Sequence, residues 1–268
     1  MKESIEARLE FPSEGGHRYP GRHEVVDALF HDGGRAVPAV VKKIRIDWKQ
    51  RLTGKTKGER AFETARAMRT RGLPTPDPLA LGVFPEETWF VCRRIEGGEQ
   101  VRAWFRHRYE TNIPPPALAL SFEKVVKGLG RLARVLHDRG VFFRDFTDGN
   151  ILVTVDEGEP RLWLVDLERA RILKGPIGTW RRFRDLSRPG LNSAEDRMLF
   201  LDSYFHPEET PAMAGLLLSV LRFRIRLWDD LKQALRPWRK GRPAWSSELG
   251  YPVRSTATAR KPRGAGDV

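Results

Sequence analysis

The segment from Val141 to Val153 (Val-Phe-Phe-Arg-Asp-Phe-Thr-Asp-Gly-Asn-Ile-Leu-Val) limits what this chain can fold into more than any other. Asp145 and Asn150 stand five residues apart in a polar stretch that follows a helix-periodic run. Sixteen residues past the Asn, Asp166 ends the short apolar run Trp163-Leu164-Val165. Singly, Asp145 and Asn150 read equally well as turn residues. Together with Asp166 they suit phosphoryl transfer, because one carboxylate can orient an attacking hydroxyl. A side-chain oxygen and a second carboxylate can then hold a hard cation on the phosphates.

The pattern on either side points to two regions. Residues 5–11, 24–30, 39–46, 79–83 and 88–94 read as strands, with Asp32-Gly33-Gly34 as a hairpin signal. A helix is expected over residues 58–71, closed by Gly72, Pro74 and Pro76. Gly97-Gly98 then breaks the pattern. Beyond it, Ser121 is a candidate N-cap, and Val125, Leu129, Leu132 and Leu136 make an apolar stripe at helical spacing. Residues 151–155 and 161–165 form a strand-like pair, and the rest is helical to about residue 236. The expected class is α+β: a small antiparallel N-lobe with one helix over residues 1–96, a mainly helical C-lobe over 97–240, and a basic tail over 241–268.

Composition excludes some classes. The chain's 268 residues include one cysteine, Cys92, so no internal disulfide can form. Cys92 lies in the apolar run Trp89-Phe90-Val91 and reads as a small buried hydrophobe. The six histidines show no zinc spacing. No leader or membrane-spanning run is evident, which points to a cytoplasmic protein. The net charge is +13, and residues 222–263 hold twelve Lys/Arg against three Asp/Glu, an excess of 12 − 3 = +9. Such an excess suits an anionic membrane surface, an acidic substrate or nucleic acid.

The catalytic segment resembles the Arg-Asp-x-x-x-x-Asn loop and following metal-binding Asp of protein-kinase-like enzymes. More narrowly, Asp166-Leu167-Glu168-Arg169-Ala170-Arg171, Arg184-Asp185-Leu186, Asp196-Arg197 and Phe200-Leu201-Asp202-Ser203-Tyr204 resemble motifs of the lipopolysaccharide kinases that act on Kdo or core heptose. The resemblance covers residues 25–204. It implies a kinase that transfers phosphate from ATP, with Mg²⁺, to a hydroxyl of an inner-core sugar of lipopolysaccharide. Such an enzyme would sit peripherally on the cytoplasmic face of the inner membrane, with no nucleic-acid partner.

The resemblance also implies roles. Asp145 would be the catalytic base, and Asn150 and Asp166 the metal ligands. Lys42 would contact the ATP phosphates. Strand alternation puts Val40, Lys42 and Ile44 on one face and Lys43 on the other, which favours Lys42. Glu63 would pair with that lysine, with Glu59 as the alternative. Cys92-Arg93-Arg94-Ile95 would be the hinge that binds adenine, and Glu99 would reach the ribose. Phe143 stands where most kinases have His, and Glu168 where many have Gly. The Gly-rich phosphate loop lacks its standard form, and Gly15-Gly16 would take its place. An aminoglycoside-type or protein Ser/Thr kinase is the alternative within the fold. A pseudokinase or basic binding module is the alternative outside catalysis.

Overall fold

The computed structural model describes residues 5–12, 18–19, 23–205, 213–234, 244–245 and 252–253. Strands β1 (Leu9–Glu10), β2 (Arg18–Tyr19), β3 (Glu24–Asp32), β4 (Arg35–Arg45), β5 (Pro78–Val83) and β6 (Glu87–Arg93) form one sheet. Its order is β1-β3-β4-β6-β5, with β2 also on β3. Gly33 and Gly34 join β3 to β4 with φ of +55° and +87°. Two successive positive φ values are what a tight hairpin turn needs, and glycine supplies them without a Cβ clash. One face of β4 buries Val37, Ala39 and Val41. The latter two pack with Leu9, Val26, Ala28, Phe30 and Val91. The other face carries Val40, Lys42 and Ile44, as expected, opposite Cys92, Phe90 and Thr88 of β6.

Two departures occur in this lobe. Residues 6–8 form a 3-10 turn before β1 rather than a strand. The Arg8 N–H donates to Ile5 O at 3.2 Å and closes the turn, and Ile5 packs against the core that holds Leu9. A second helix, α1 (Trp48–Thr53), begins at Asp47, whose side chain accepts from the Gln50 N–H at 3.0 Å.

Helix α2 (Lys57–Thr70) opens on a Thr56/Glu59 capping box. Its buried stripe is Gly58, Ala61, Ala65 and Met68. Ala65, Met68 and the following Leu73 belong to the core of the second lobe, so α2 ties the lobes together. Two bonds reinforce the tie: Thr75 Oγ1 donates to Leu164 O at 2.9 Å, and Leu164 N–H to Pro74 O at 2.9 Å.

The second lobe contains α3 (Arg102–Tyr109), α4 (Phe122–Asp138), α5 (Thr179–Leu186), α6 (Ala194–Phe205) and α7 (Ala214–Ala234). Helix α4 starts at Ser121, whose side chain accepts from the Lys124 N–H, and buries the anticipated stripe. Short strands complete the lobe: β7 (Glu99–Gln100), β8 (Val141–Phe142), β9 (Ile151–Asp156), β10 (Glu159–Leu164) and β11 (Arg171–Ile172). β10, β9 and β7 form one small sheet, and β11 pairs with β8. Among the described residues no helix is long and apolar enough to cross a membrane. Most of the basic tail lies outside the described residues.

Candidate active site

Two places in the cleft hold non-glycine residues in left-handed backbone conformation, Arg144 (φ +70°) and Asp166 (φ +59°). Such geometry persists only where its surroundings hold it. At Asp166 the chain leaves β10 and turns at once into a 3-10 turn over Leu167–Arg169, with Leu167 buried beneath it. The turn aims two carboxylates back toward β4. Lys42 Nζ lies 2.8 Å from Asp166 Oδ1 and 2.6 Å from Glu168 Oε1. Burial alone would lower the Lys42 pKa, but the charges of Asp166 and Glu168 outweigh it and hold the pKa above 10.5. The ammonium is therefore permanently charged at the wall of the cleft.

At Arg144 the holding group is Asp185 of α5. Its carboxylate is fully buried and accepts from the backbone N–H of Phe143 at 2.7 Å and of Arg144 at 2.8 Å. His137 Nε2 lies 3.6 Å from the same carboxylate. The His137 ring is 1% exposed, and burial lowers its pKa despite Asp185, so it is neutral. Its Nδ1 lies 2.9 Å from the Tyr204 hydroxyl, which also accepts from Arg182 Nη1 at 2.9 Å. The arginine leaves the tyrosine proton free to point at the ring, so Nδ1 accepts and Nε2–H faces Asp185. Phe143 and Phe146 are both buried and meet edge-on, with centroids 6.2 Å apart. Phe143 thus fills space in the core that a polar ring would need partners to occupy.

The loop closes on itself. Asn150 Nδ2 donates to Asp145 O at 3.0 Å, Thr147 N–H to the same oxygen at 2.7 Å, and Val165 N–H to Asn150 O at 3.0 Å. With the Lys42–Asp166 contact, these bonds link Lys42, Asp166, Asn150 and Asp145 into one continuous group. The Asp145 carboxylate accepts from Arg169 Nη1 at 2.9 Å. Because Asn150 spends its amide nitrogen on Asp145 O, its amide oxygen is the end left for a cation. Together with the Asp166 carboxylate this is a hard-oxygen donor pair, which fits Mg²⁺.

The expectation for Glu63 is corrected. Its carboxylate is exposed and pairs with Lys55. Glu63 falls two residues from both Ala61 and Ala65, on the side of α2 opposite the buried stripe. The alternative, Glu59, is engaged in the capping box, accepting from the Thr56 N–H at 2.8 Å. Glu168 is the carboxylate, besides Asp166, that meets Lys42. Its place in the sequence was noted only as a departure from glycine, and a charged residue two after the metal-type Asp was the signal available. Asp185 was visible only as part of a motif, since nothing local shows that it reaches back across forty residues.

The hinge residues lie at the end of β6. The Arg93 N–H donates to Asp77 O at 2.8 Å, and its side chain meets Asp77 Oδ2 at 3.3 Å. The Arg94 N–H donates to Pro38 O at 2.9 Å. Ile95 follows, half-buried. Glu99 Oε2 accepts from the Leu118 N–H at 3.3 Å. Burial pushes the Cys92 thiol up to about 12, so it stays protonated and is no nucleophile. Gly15 and Gly16 lie outside the described residues.

Residues 23–189 match the model of the lipopolysaccharide kinase (Kdo/WaaP) family. A solved structure described as WaaP in complex with acyl carrier protein is similar in fold, with a TM-score of 0.54 and 20% sequence identity. The match covers 82% of this chain and 89% of that one. No curated protein matches the chain in sequence.

Proposed function

The chain belongs to the lipopolysaccharide kinase (Kdo/WaaP) family and is a phosphotransferase, and from that premise we propose that it uses ATP and Mg²⁺ to phosphorylate a hydroxyl of an inner-core sugar, Kdo or heptose. The observation that carries this reading is the linked group of Lys42, Asp166, Asn150 and Asp145 on one cleft.

Each residue then has a physical task. The Arg93 and Arg94 peptide N–H groups are engaged by Asp77 O and Pro38 O, so the edge of adenine is assigned to the Ile95 N–H that follows them. Lys42, charged and held by Glu168, pairs with phosphate oxygens. Asn150 and Asp166 hold Mg²⁺, which when bound neutralises charge on those phosphates. Asp145 accepts the proton of the attacking sugar hydroxyl, while Arg169 fixes the orientation of its carboxylate. Phosphoryl transfer requires little of the protein beyond such positioning and charge.

The location of the acceptor suits the charge distribution. Leu216, Val220, Phe223 and Leu227 form an exposed apolar stripe on α7, with Met213 exposed just before it, and the +9 excess of residues 222–263 begins on the same helix. Apolar and basic groups together favour an anionic bilayer surface. Sedimentation with vesicles containing anionic lipid tests this. Binding that falls with salt supports it, and absence of binding at low salt contradicts it.

For the reaction itself, core lipopolysaccharide stripped of phosphate is incubated with ATP and Mg²⁺ and analysed by mass spectrometry. Gain of one phosphate on a Kdo or heptose residue supports the proposal. Transfer only to an aminoglycoside or a protein hydroxyl contradicts it.

A further inference from the structure

Four arginines from three stretches of chain crowd around Asp145. Arg144 precedes the base, Arg169 lies in the 3-10 turn, Arg171 in β11 and Arg184 in α5. Burial, and then the charges of Arg171, Arg169 and Arg184, pull the Arg144 guanidinium below its ordinary range. Against them stands Asp145, already engaged by Arg169. Among the described residues no ion pair forms between a carboxylate and Arg144, Arg171 or Arg184. The Arg184 guanidinium lies instead 5.8 Å from the centre of the Phe142 ring.

The cluster is built into the fold. Asp185 fixes the Arg144 backbone, and Arg171 stands in register with Phe142 across β8 and β11. Like charges held together are unfavourable until an anion joins them. Residues 167–178, the segment between Asp166 and α5, contain no Ser, Thr or Tyr. Nothing on that segment can therefore carry a phosphate to the arginines. The nucleotide phosphates belong at Lys42, so the missing anion comes from the acceptor side.

We propose that Arg144, Arg169, Arg171 and Arg184 form a subsite for an anionic substituent, phosphate or carboxylate, carried by the acceptor sugar or its neighbour. This rests on the sugar-kinase reading. Guanidinium forks suit both anions, since each offers paired oxygens. The subsite makes the enzyme select acceptors already charged beside the reacting hydroxyl.

The test compares wild type with Arg171→Gln and the double variant Arg171→Gln/Arg184→Gln. The double variant is expected to raise the KM for the acceptor roughly tenfold or more, as loss of charge-assisted contacts implies. kcat and the KM for ATP should stay the same, since uniform binding is what is lost. Arg171→Lys should recover part of the effect. Acceptors with phosphates removed, or with carboxyl groups reduced, show which anion is read: the wild-type KM rises only for the form that lacks it. An unchanged acceptor KM in the double variant overturns the subsite while leaving the kinase reading intact. A separate readout needs no turnover. With a non-hydrolysable ATP analogue saturating, millimolar inorganic phosphate should raise the Tm of the wild type and not of the double variant. Equal protection of both, or of neither, overturns the subsite. If no lipopolysaccharide acceptor is phosphorylated but this protection is lost in the variant, the sugar-kinase reading fails and the anion site stands. Arg171→Gln alone, at an exposed strand position, gives the same direction if the double variant folds poorly.

Discussion

Asp185 carries two peptide N–H groups and a histidine edge on one fully buried carboxylate. Replacing it by alanine strands both N–H groups in the core and releases the left-handed Arg144. The expected cost is about 2–5 kcal/mol, since each buried unsatisfied donor costs roughly 1–3 kcal/mol. Urea unfolding measures it, and a change under 1 kcal/mol would remove Asp185 from the account. The lysine pair makes a second contrast. Glu168→Gln should raise the KM for ATP, because Lys42 loses one of its two anions. Glu63→Gln should leave that KM unchanged, because Glu63 meets Lys55. The reverse result in steady-state kinetics would restore the sequence-based pairing. His137 sets a third test. Its folded pKa lies below the ordinary 6.5, so below pH 6.5 the unfolded chain binds a proton that the native ring refuses. Stability should therefore fall as pH drops below 6.5. Asp138 and Asp196, held below 3.8, begin to contribute only at more acid pH. Denaturant midpoints from pH 7.5 to 5.5 should drop less in His137→Gln than in wild type, and equal slopes contradict a neutral buried ring.

Among the helices, α4 was legible in both extent and face, and α2 in extent but not in face. The α4 stripe has one face and one cap, so periodicity alone fixes which residues go inside. Helix α2 has a thin stripe of Gly, Ala and Met shared between two lobes, and which carboxylate it would offer to β4 depended on a rotation no pattern reveals. The short strands β7, β8 and β11, of two residues each, are set by tertiary pairing and have no sequence signature of their own. Packing of α4 on α6 is set at Gly130, where an added Cβ would lie 2.6 Å from Phe200 O. Gly130→Ala should cost about 1–3 kcal/mol through overpacking against backbone that cannot rotate aside. Gly175→Ala, with nothing within 4 Å of its Cβ, is the control and should change stability by less than about 0.5 kcal/mol. Thermal unfolding compares them, and equal Tm values would mean that the helices separate to admit the methyl group.

For the whole molecule, strand alternation before Gly97-Gly98 and helical periodicity after it were enough to anticipate a sheet lobe and a helical lobe. That worked because alternation and periodicity are local features, written in a few consecutive residues. Contacts that cross the chain were not local. The Asp185 clamp and the arginine cluster each join residues that only the closed fold brings together. The phosphate-loop expectation at Gly15-Gly16 lies outside the described residues, and the reading of the cleft stands on the other groups.

The central claim is that Asp145 takes the proton from a sugar hydroxyl while Lys42, Asn150 and Asp166 manage the phosphates. The most direct measurement is single-turnover transfer from ATP to core lipopolysaccharide by wild type and Asp145→Asn, with nucleotide affinity measured in parallel. The rate should fall by about 10²-fold or more, as loss of a general base implies, with ATP binding unchanged. Transfer by Asp145→Asn at the wild-type rate would contradict it.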